Sequence, residues 1–385
     1  MAVVVRIKDR FRIEGRGIVY IVKAHEVGAL YINDILYDLQ GNSFRLTAIE
    51  MFRHTIVDVP FEQMDTGILL QPLNGTDVKG NILITTPSEV SFLFCNHPLY
   101  PQRVDEDYEE EYQAAGQDHP CALISYEDLV EGKISLYGEQ IHGLTIYRGW
   151  MLKPVQYRYL YEQLEKRNIL LINSPEEYER YHLIPGWYND FKEETPLTIW
   201  TEGADMKDIL YISRSLEGPY IVKDYVKSRK HEWYDACFIS NAQDRVGLEE
   251  VVRTFIERQG DDLIGGVVLR RFEKLNQIGF HGQSGMPVSE EYRVFIYAGQ
   301  ILTINPYWEG EEDTPLSQEE YQWLETIAGR IKSNFVTVDL ARKDDGSLII
   351  MELGDGQVSG LQQLDARDFY QALREQFVCS SSDGT

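Results

Sequence analysis

The sequence predicts a multi-domain fold in which a small all-β barrel at the N-terminus is followed by an α/β subdomain and then by an α+β domain. Three observations support this fold class. The chain has 385 residues, which exceeds the roughly 100 to 200 residues of an ordinary domain. The first ninety residues are short apolar runs separated by Gly and Asn. The rest of the chain alternates strand-like runs with amphipathic helical patterns.

The N-terminal segment has turn signals that are too frequent for helices. Its apolar runs are three to six residues long, and no helical period connects them, which is typical of a small barrel. The runs lie at 18–22, 29–31, 44–49, 67–70 and 82–84.

The remainder reads as alternating strands and helices. An acidic stretch at 105–111 is interpreted as the solvated start of a helix rather than as a metal site. The clearest strands are predicted at 91–95, 169–173 and 220–223, and the clearest helices at 154–167, 248–259 and 317–332.

Charge divides the chain at the same place as the change in pattern. Residues 1–90 carry nine Lys or Arg and eleven Asp or Glu, so almost all of the net charge of -25 lies beyond them. We therefore predict a boundary near Pro87 and Ser88. Such an acidic surface repels nucleic acid phosphates, and RNA or DNA binding would need a local basic groove. The predicted parts are a barrel over 1–88, an α/β subdomain over 89–175, an α+β domain over 176–378 and a frayed tail over 379–385.

Composition excludes several classes of protein. A hydrophobic content of 43% can fill real cores, so a disordered or fibrous chain is not expected. No apolar run approaches the ~20 residues that span a bilayer, and the start lacks the apolar stretch of a signal peptide, so we expect a cytoplasmic protein without membrane contact. The four cysteines and eight histidines show neither Cys-x-x-Cys nor His-x-x-x-His spacing, which gives a zinc site little support.

The C-terminal third contains a predicted hairpin with two facing carboxylates. Residues 335–341 and 347–353 are strand-like, and Asp345-Gly346 suits a two-residue turn between them. In that register Asp339 lies opposite Glu352, with Cβ atoms about 4.5 to 5.5 Å apart. Two like charges at this distance are destabilising unless a divalent cation such as Mg²⁺ neutralises them, so removing one charge is expected to relieve repulsion. In the alternative reading the two side chains splay apart on an exposed face.

The residues after the hairpin extend the predicted metal site. Gly354-Asp355-Gly356 adds a third carboxylate, Asp355, and a backbone that a ligand can approach closely.

A second candidate element is a strand that ends in a lysine, Lys223, within an otherwise acidic region. Lys227, Arg229 and Lys230 follow within eight positions, and such a cluster suits a polyanion such as ATP. Exposed lysines are common, so a solvated loop is the alternative.

A third element places Arg293 among residues that should be buried. A buried guanidinium needs a planar partner, either a phosphate or a carboxylate. A ligand contact and an internal salt bridge to Glu291 or Glu273 both remain open at this stage.

These three elements, in this order, resemble the ATP-grasp superfamily over roughly residues 90–375. The stretches 147–152, 172–175 and 352–359 are similar to a poorly characterised bacterial or phage branch of it. The resemblance implies bound ATP and Mg²⁺, with catalytic roles for Lys223 and Arg293.

The resemblance also implies roles for further residues. Lys223 would contact the ATP phosphates and Arg293 a phosphate or the substrate. Backbone near Arg271 and Phe272 would hold the adenine, and Glu291 would lie near the ribose. Asp339 and Glu352 would bind Mg²⁺, with Asp355 in place of the family's Asn because residue 354 is Gly. The family's other phosphate lysine, expected after Asn173, is absent and leaves Arg180 or His182 as candidates.

The N-terminal segment resembles the second, β-barrel domain of translation elongation factor Tu over about residues 3–86. The motifs that carry this resemblance are 11–19, 50–53, 67–70 and 80–83. No Gly-x-x-x-x-Gly-Lys-Ser/Thr loop occurs, so GTP hydrolysis is not expected. The resemblance implies contact with a tRNA end or a neighbouring domain, and a general protein-docking role is the alternative.

The function predicted from these features is an ATP-dependent, ADP-forming ligase that joins a carboxylate to an amine through an acyl phosphate. The acidic exterior favours a peptide or small-molecule substrate over a polynucleotide. One alternative is a binding module with a degenerate ATP-grasp body that engages translation components or toxins. Another is a ligase that uses an adenylated intermediate, including on RNA. Release of ADP or of AMP separates the two enzymatic routes.

Overall fold

The N-terminal segment is a closed β-barrel. The computed structural model describes residues 3–25, 30–51, 54–55, 65–74, 77–85, 90–280, 287–308 and 315–378. Six strands form a ring in the order β3-β7-β1-β2-β6-β4, and antiparallel pairing of β3 with β4 closes it. The strands are β1 (Val4–Ile13), β2 (Gly17–His25), β3 (Ile35–Asp38), β4 (Ser43–Met51), β5 (His54–Thr55), β6 (Thr66–Pro72) and β7 (Ile82–Ile84).

The predicted all-β barrel is thus confirmed, and its core consists of the inward side chains of alternating strand positions, such as Val5, Val22 and Leu36. The resemblance to elongation factor Tu stays a prediction. The predicted boundary at Pro87 and Ser88 and the tail 379–385 lie outside the described residues.

The second part is a mixed α/β sheet. Strands β10, β8, β12 and β13 run parallel in that order, and β11 pairs antiparallel with β10 at the edge. Its elements are β8 (Ser91–His97), β9 (Tyr100–Val104), α1 (Glu109–Ala115), β10 (Cys121–Ile124), α2 (Tyr126–Val130), β11 (Leu136–Gly138), β12 (Gly143–Arg148), α3 (Pro154–Glu165) and β13 (Ile169–Leu171).

The third part has two antiparallel four-stranded sheets, in the orders β14-β17-β15-β16 and β21-β20-β22-β23. The predicted fold class, an ATP-grasp-like α+β body after an α/β subdomain, is confirmed. The elements are α4 (Pro175–His182), α5 (Ile184–Trp187), β14 (Thr198–Trp200), α6 (Met206–Ile212), β15 (Tyr220–Lys223), α7 (Trp233–Ala236), β16 (Phe238–Ile239), α8 (Arg245–Gln259), β17 (Val268–Arg271), β18 (Gln277–Phe280), β19 (Pro287–Ser289), β20 (Glu291–Tyr297), β21 (Gln300–Pro306), α9 (Gln318–Arg330), β22 (Phe335–Arg342), β23 (Leu348–Asp355) and α10 (Ala366–Val378).

Packing crosses the predicted boundary between 89–175 and 176–378. The C-terminal helix α10 places Phe369 against the core of the second part, which also contains Phe92. The barrel is tied to the same core by the buried Arg6, which donates to Glu177 at 3.0 Å and to the carbonyl of Leu171 at 2.7 Å. The predicted division remains a description of sequence pattern, because the three parts share one apolar interior. Within the described residues no helix is both long and apolar enough to span a bilayer.

A buried ion pair holds the acidic stretch that was predicted to be solvated. Asp105 does cap a short 3-10 turn, but Glu111 is buried and accepts from Arg148 Nε at 2.8 Å and from Nη2 at 2.9 Å. Arg148 Nη1 donates to the carbonyl of Gly356, which joins the second part to the loop after β23. The solvated reading is wrong for Glu111, because one face of α1 packs against α10.

Replacing Arg148 by Met is expected to lower the free energy of unfolding by about 3 to 5 kcal/mol, because Glu111 would remain buried without its cation. Chemical denaturation measures this effect. Arg158→Met is the matched control: the Arg158 to Glu176 pair, 2.8 Å apart, is exposed, so its loss should cost less than about 1 kcal/mol. Equal effects of the two variants would contradict the buried-pair interpretation.

Candidate active site

A cavity of about 410 Å³ lies between the two antiparallel sheets of the third part. One wall comes from β15 and β17, and the other from β20, β22 and β23. Charged side chains that share this cavity are Lys223, Lys230, Arg270, Arg271, Glu273, Lys274, Glu291, Asp339, Asp344 and Glu352. The volume and the mixture of apolar and convergent polar groups are typical of a small-molecule site.

Lys223 ends β15 at the cavity wall. Its residue is 6% exposed, and Nζ lies 3.3 Å from Glu352 Oε1 on the opposite sheet. The turn that follows is held by Asp224, whose Oδ1 accepts from the amides of Val226 and Lys227. This turn directs Lys227 away from the cavity and returns the chain to it at Lys230. The structure therefore separates a lysine cluster that the sequence could not divide.

Lys230 is a site residue that sequence analysis noted in the cluster but did not select. Burial would lower the pKa of its ammonium, but Glu291, Tyr307, Glu352 and Asp339 outweigh that effect and raise it. Lys230 is therefore a permanent cation in the cavity at neutral pH. Among the residues that the structure describes, it has no carboxylate within 4 Å.

Asp339 and Glu352 are cross-strand partners on β22 and β23, as predicted, but the route to this register differs from the prediction. The turn has three residues, with Lys343 and Ser347 closing it and Gly346 at φ +86°. That loop shifts the pairing by one residue, so that Leu340 faces Ile350. A β-bulge at Met351 then restores the predicted pairing.

Arg293 neutralises Asp339 directly. Its Nε and Nη2 donate to Asp339 Oδ1 and Oδ2 at 2.8 and 2.7 Å, and Nη1 donates to the carbonyl of Gly360. The expected internal partners Glu291 and Glu273 are wrong, because Arg293 and Asp339 pair across β20 and β22 on the same face. Burial opposes the charge of Arg293, but Asp339 outweighs burial and raises the pKa of the guanidinium.

The remaining predicted nucleotide contacts are at the other end of the cavity. Phe272 lines it and packs edge-on against Trp233, with ring centroids 6.0 Å apart. The amides of Arg271 and Phe272 already donate to the carbonyls of Leu197 and Pro219. An adenine would therefore meet their carbonyl oxygens or the amides of later residues, with the apolar rings beside it.

Three predicted site residues are not brought to this cavity. Arg180 pairs with Asp190 at 2.6 Å near the surface, and His182 is buried against Tyr178. Neither side chain lines the cavity. α4, which carries both, packs against the second part and β23 and turns these side chains elsewhere.

Asp355 is the third of these residues. It projects from the face of β23 opposite to Glu352, because it is three positions away in a strand of period two. Its carboxylate accepts from Asn173 Nδ2 at 2.6 Å and from the Gln357 amide at 2.9 Å, and burial raises its pKa to about 7. The prediction of Asp355 as a metal ligand is therefore not supported by its position.

Residue 354 has no room for the side chain that the family pattern expects. A Cβ there would lie 2.9 Å from Thr337 Oγ1 and 3.1 Å from Ser359 Oγ. These two hydroxyls hydrogen-bond to each other at 2.8 Å and fill the position.

Residues 211–373 match a family model described as an ATP-grasp domain, the third family of its clade. The chain carries an ATP-grasp domain. The matched range contains Lys223, Lys230, Arg270, Asp339 and Glu352, whereas Arg180 and His182 precede it. The prediction of an ATP-grasp enzyme is thereby confirmed, with its substrate still to be found.

Solved structures similar to this chain are ATP-grasp proteins of low sequence identity. A RimK domain ATP-grasp protein from Sphaerobacter thermophilus has 13% identity and a TM-score of 0.48, with 74% of this chain and 99% of that chain covered. D-alanyl-alanine synthetase A from Vibrio cholerae has 11% identity and a TM-score of 0.48, with 77% and 99% covered. The ATP-grasp ligase PsnB, complexed with precursor peptide PsnA2 and AMPPNP, has 12% identity and a TM-score of 0.47, with 76% and 98% covered. No curated protein sequence matches the chain.

The donor set of the ATP-grasp domain fits Mg²⁺ that arrives with a nucleotide. Asp339 and Glu352 supply two carboxylates at adjacent strand positions on the cavity wall. In the described ranges no three acidic, His or Cys side chains converge closely enough to hold a metal. Magnesium is commonly bound by one or two carboxylates with phosphate oxygens completing its shell, so two carboxylates are sufficient.

A second, acidic groove adjoins the ATP-grasp cavity. It has a volume of about 880 Å³ and includes Gly360, whose carbonyl accepts from Arg293. Trp150 and Tyr108 form one wall, with ring centroids 5.5 Å apart. Its charged lining residues are Glu106, Asp107, Glu110, Glu111, Glu127 and Lys227.

His182 provides a pH-dependent test of the packing beside the site. The residue is 4% exposed, and burial together with Lys227 and Lys223 lowers the pKa of its imidazole to about 3. The unfolded chain therefore binds the proton between pH 6.5 and 3, so stability falls as pH falls through that window. From pH 7 to pH 5 the loss from this residue should be about 2 kcal/mol.

We expect His182→Phe to remove that part of the pH dependence, measured by urea denaturation at both pH values. The exposed His142→Phe variant serves as the control and should keep the wild-type slope. An unchanged slope in His182→Phe would show that the imidazole does not remain neutral in the folded protein.

Proposed function

We propose that this protein is an ATP- and Mg²⁺-dependent ligase that joins a carboxylate to an amine and releases ADP. The observation that carries the proposal is the convergence of two lysines and two carboxylates in one cavity of the ATP-grasp domain. Lys223 and Lys230 supply fixed positive charge for phosphates, and Asp339 with Glu352 supply the ligands for the metal.

Phosphoryl transfer requires little covalent chemistry from the protein. In the proposed first step a substrate carboxylate oxygen bonds to the γ-phosphorus as the bond to ADP breaks. In the second step the amine nitrogen bonds to the acyl carbon, loses a proton and displaces inorganic phosphate. The bound Mg²⁺ would offset charge on the phosphates.

The chain's own residues would bind, orient and shield the reactants. The two lysines would hold the nucleotide, and the apolar rings of Phe272 and Trp233 would exclude water from the base. Arg293 has its donors committed to Asp339 and Gly360. Its proposed role is therefore to fix the metal-binding carboxylate rather than to contact a phosphate.

The adjoining acidic groove favours a peptide or small-molecule acceptor over RNA. Five carboxylates and one lysine line it, and such a surface repels a polynucleotide. The same carboxylates would attract the ammonium group of an amine substrate. The predicted tRNA or protein contact of the barrel stays a prediction.

The test is a turnover screen of purified protein with ATP and Mg²⁺ against pools of amino acids and peptides. Phosphate with ADP and AMP with pyrophosphate are measured in parallel. ADP release that depends on both a carboxylate and an amine is the expected result. AMP release would support the adenylate route instead, and nucleotide binding without turnover would support the binding module.

A further inference from the structure

Arg270 is a fully buried cation in β17 with neutral hydrogen-bond partners. Nη1 donates to Thr198 Oγ1 at 2.9 Å, and Nη2 donates to Thr195 Oγ1 at 2.7 Å. Nη2 also lies 3.2 Å from the carbonyl oxygen of Ile350 and 2.8 Å from that of Met351. No carboxylate lies within 4 Å of its guanidinium among the described residues. A buried charge without an ionic partner is costly, so its position calls for an explanation.

The two carbonyls that Arg270 binds belong to the β-bulge of β23. The turn before it pairs Leu340 with Ile350, and continuing that register would place Asp339 opposite Met351. Glu352 would then face Val338, whose side chain lies in an apolar core. The extra residue at the bulge brings Glu352 to the same face as Asp339.

A bulge disrupts the strand ladder locally and leaves backbone groups that need other partners. Here the partners come from the first sheet and the segment before it. Thr195 Oγ1 donates to the Ile350 carbonyl at 2.8 Å, and the Ile350 amide donates to the Glu194 carbonyl at 2.8 Å. Arg270 is the element of this network that reaches both bulge carbonyls.

We propose that Arg270 is a positioning residue that holds the bulge at Met351 and thereby keeps Glu352 facing Asp339, so that nucleotide binding responds to Mg²⁺. This inference rests on the proposed ATP and Mg²⁺ site. It assigns to Arg270 a function exerted through the backbone of β23 and not through contact with a phosphate.

Direct phosphate contact is the competing role, because Arg270 also lines the cavity. The two roles differ in one measurable quantity. A phosphate contact contributes to nucleotide affinity with or without metal, whereas a positioned Glu352 contributes only when Mg²⁺ is present.

The experiment measures the affinity for AMPPNP by calorimetry, with Mg²⁺ and with a chelator, in full-length wild type, Arg270→Met, Arg270→Lys and Thr195→Val. In Arg270→Met the gain in affinity caused by Mg²⁺ is expected to fall about 10- to 100-fold, as for the loss of a group that orients a metal ligand. The metal-free affinity should stay within about threefold of wild type. Arg270→Lys should retain more of the gain, since an ammonium can still donate to carbonyls.

Thr195→Val removes a neutral group outside the cavity and tests the same network without deleting a charge. It should lower the Mg²⁺-dependent gain in the same direction but by less, with metal-free binding unchanged. An equal loss of affinity with and without Mg²⁺ in Arg270→Met would overturn the proposal in favour of phosphate contact. An unchanged gain in both variants would overturn it as well, while absence of AMPPNP binding in wild type would refute the proposed function itself.

Discussion

Glu352→Gln is expected to reduce Mg²⁺-dependent ATP turnover by about 10²- to 10³-fold while leaving the free energy of unfolding almost unchanged. The Glu352 side chain is 35% exposed, and its contact to Lys223 at 3.3 Å is long for an ion pair. Glutamine keeps one oxygen for Lys223 but removes the negative charge that a metal requires. Turnover of ADP and urea denaturation measure the two effects.

Asp339→Asn is the informative partner of this variant, because it should lose stability as well as turnover. Both oxygens of Asp339 accept from the buried Arg293, and asparagine would place an amide donor against the guanidinium. Breaking a buried pair in this way should cost about 3 to 5 kcal/mol. Relief of repulsion, expected from the sequence for both residues, does not apply to Asp339 because Arg293 already neutralises it.

The two results together separate a metal role from a structural one. Turnover retained in Glu352→Gln would remove this residue from the metal site. Wild-type stability in Asp339→Asn would mean that Arg293 finds another partner.

Lys223→Met is expected to weaken nucleotide binding by about 10- to 100-fold, in line with the loss of one charge-assisted hydrogen bond. Methionine preserves the apolar stem that is buried beside Ile221 and removes only the ammonium. Stability should change little, because Glu352 remains accessible to water. Equilibrium binding of ADP with Mg²⁺ is the measurement.

Lys227→Met is the matched control for the same loop. Its side chain is exposed and lines the neighbouring groove instead of the cavity, so ADP affinity should change by less than about threefold. Equal losses in both variants would indicate a general effect of charge, and unchanged affinity in Lys223→Met would exclude this residue from the site.

The hairpin shows how far local pattern could predict the site. Strand periodicity correctly predicted two strands with Asp339 opposite Glu352. The predicted two-residue turn was wrong, and the pairing survived because a one-residue longer loop and a one-residue bulge compensate each other. A bulge depends on partners such as Arg270, which is distant in the chain, and local pattern carries no information on it.

The cationic residues show the limit more plainly. Lys223 and Lys230 come to the cavity because the Asp224 turn reverses the chain between them. Arg180 and His182 were selected from their place after Asn173, yet α4 directs them to Asp190 and Tyr178. One-dimensional spacing could not distinguish these outcomes, since each depends on which face of an element packs inward.

Sequence by itself determined the class of the fold, the order of its parts, the strand-end lysine and the paired carboxylates, because turn residues and the periods of strands and helices are local properties. Tertiary structure alone decided that Arg293 neutralises Asp339, that Lys230 joins Lys223, that Asp355 faces away and that Arg270 supports the bulge. These facts depend on contacts between sheets far apart in the chain, where burial makes every unpaired charge costly and thereby selects its partner.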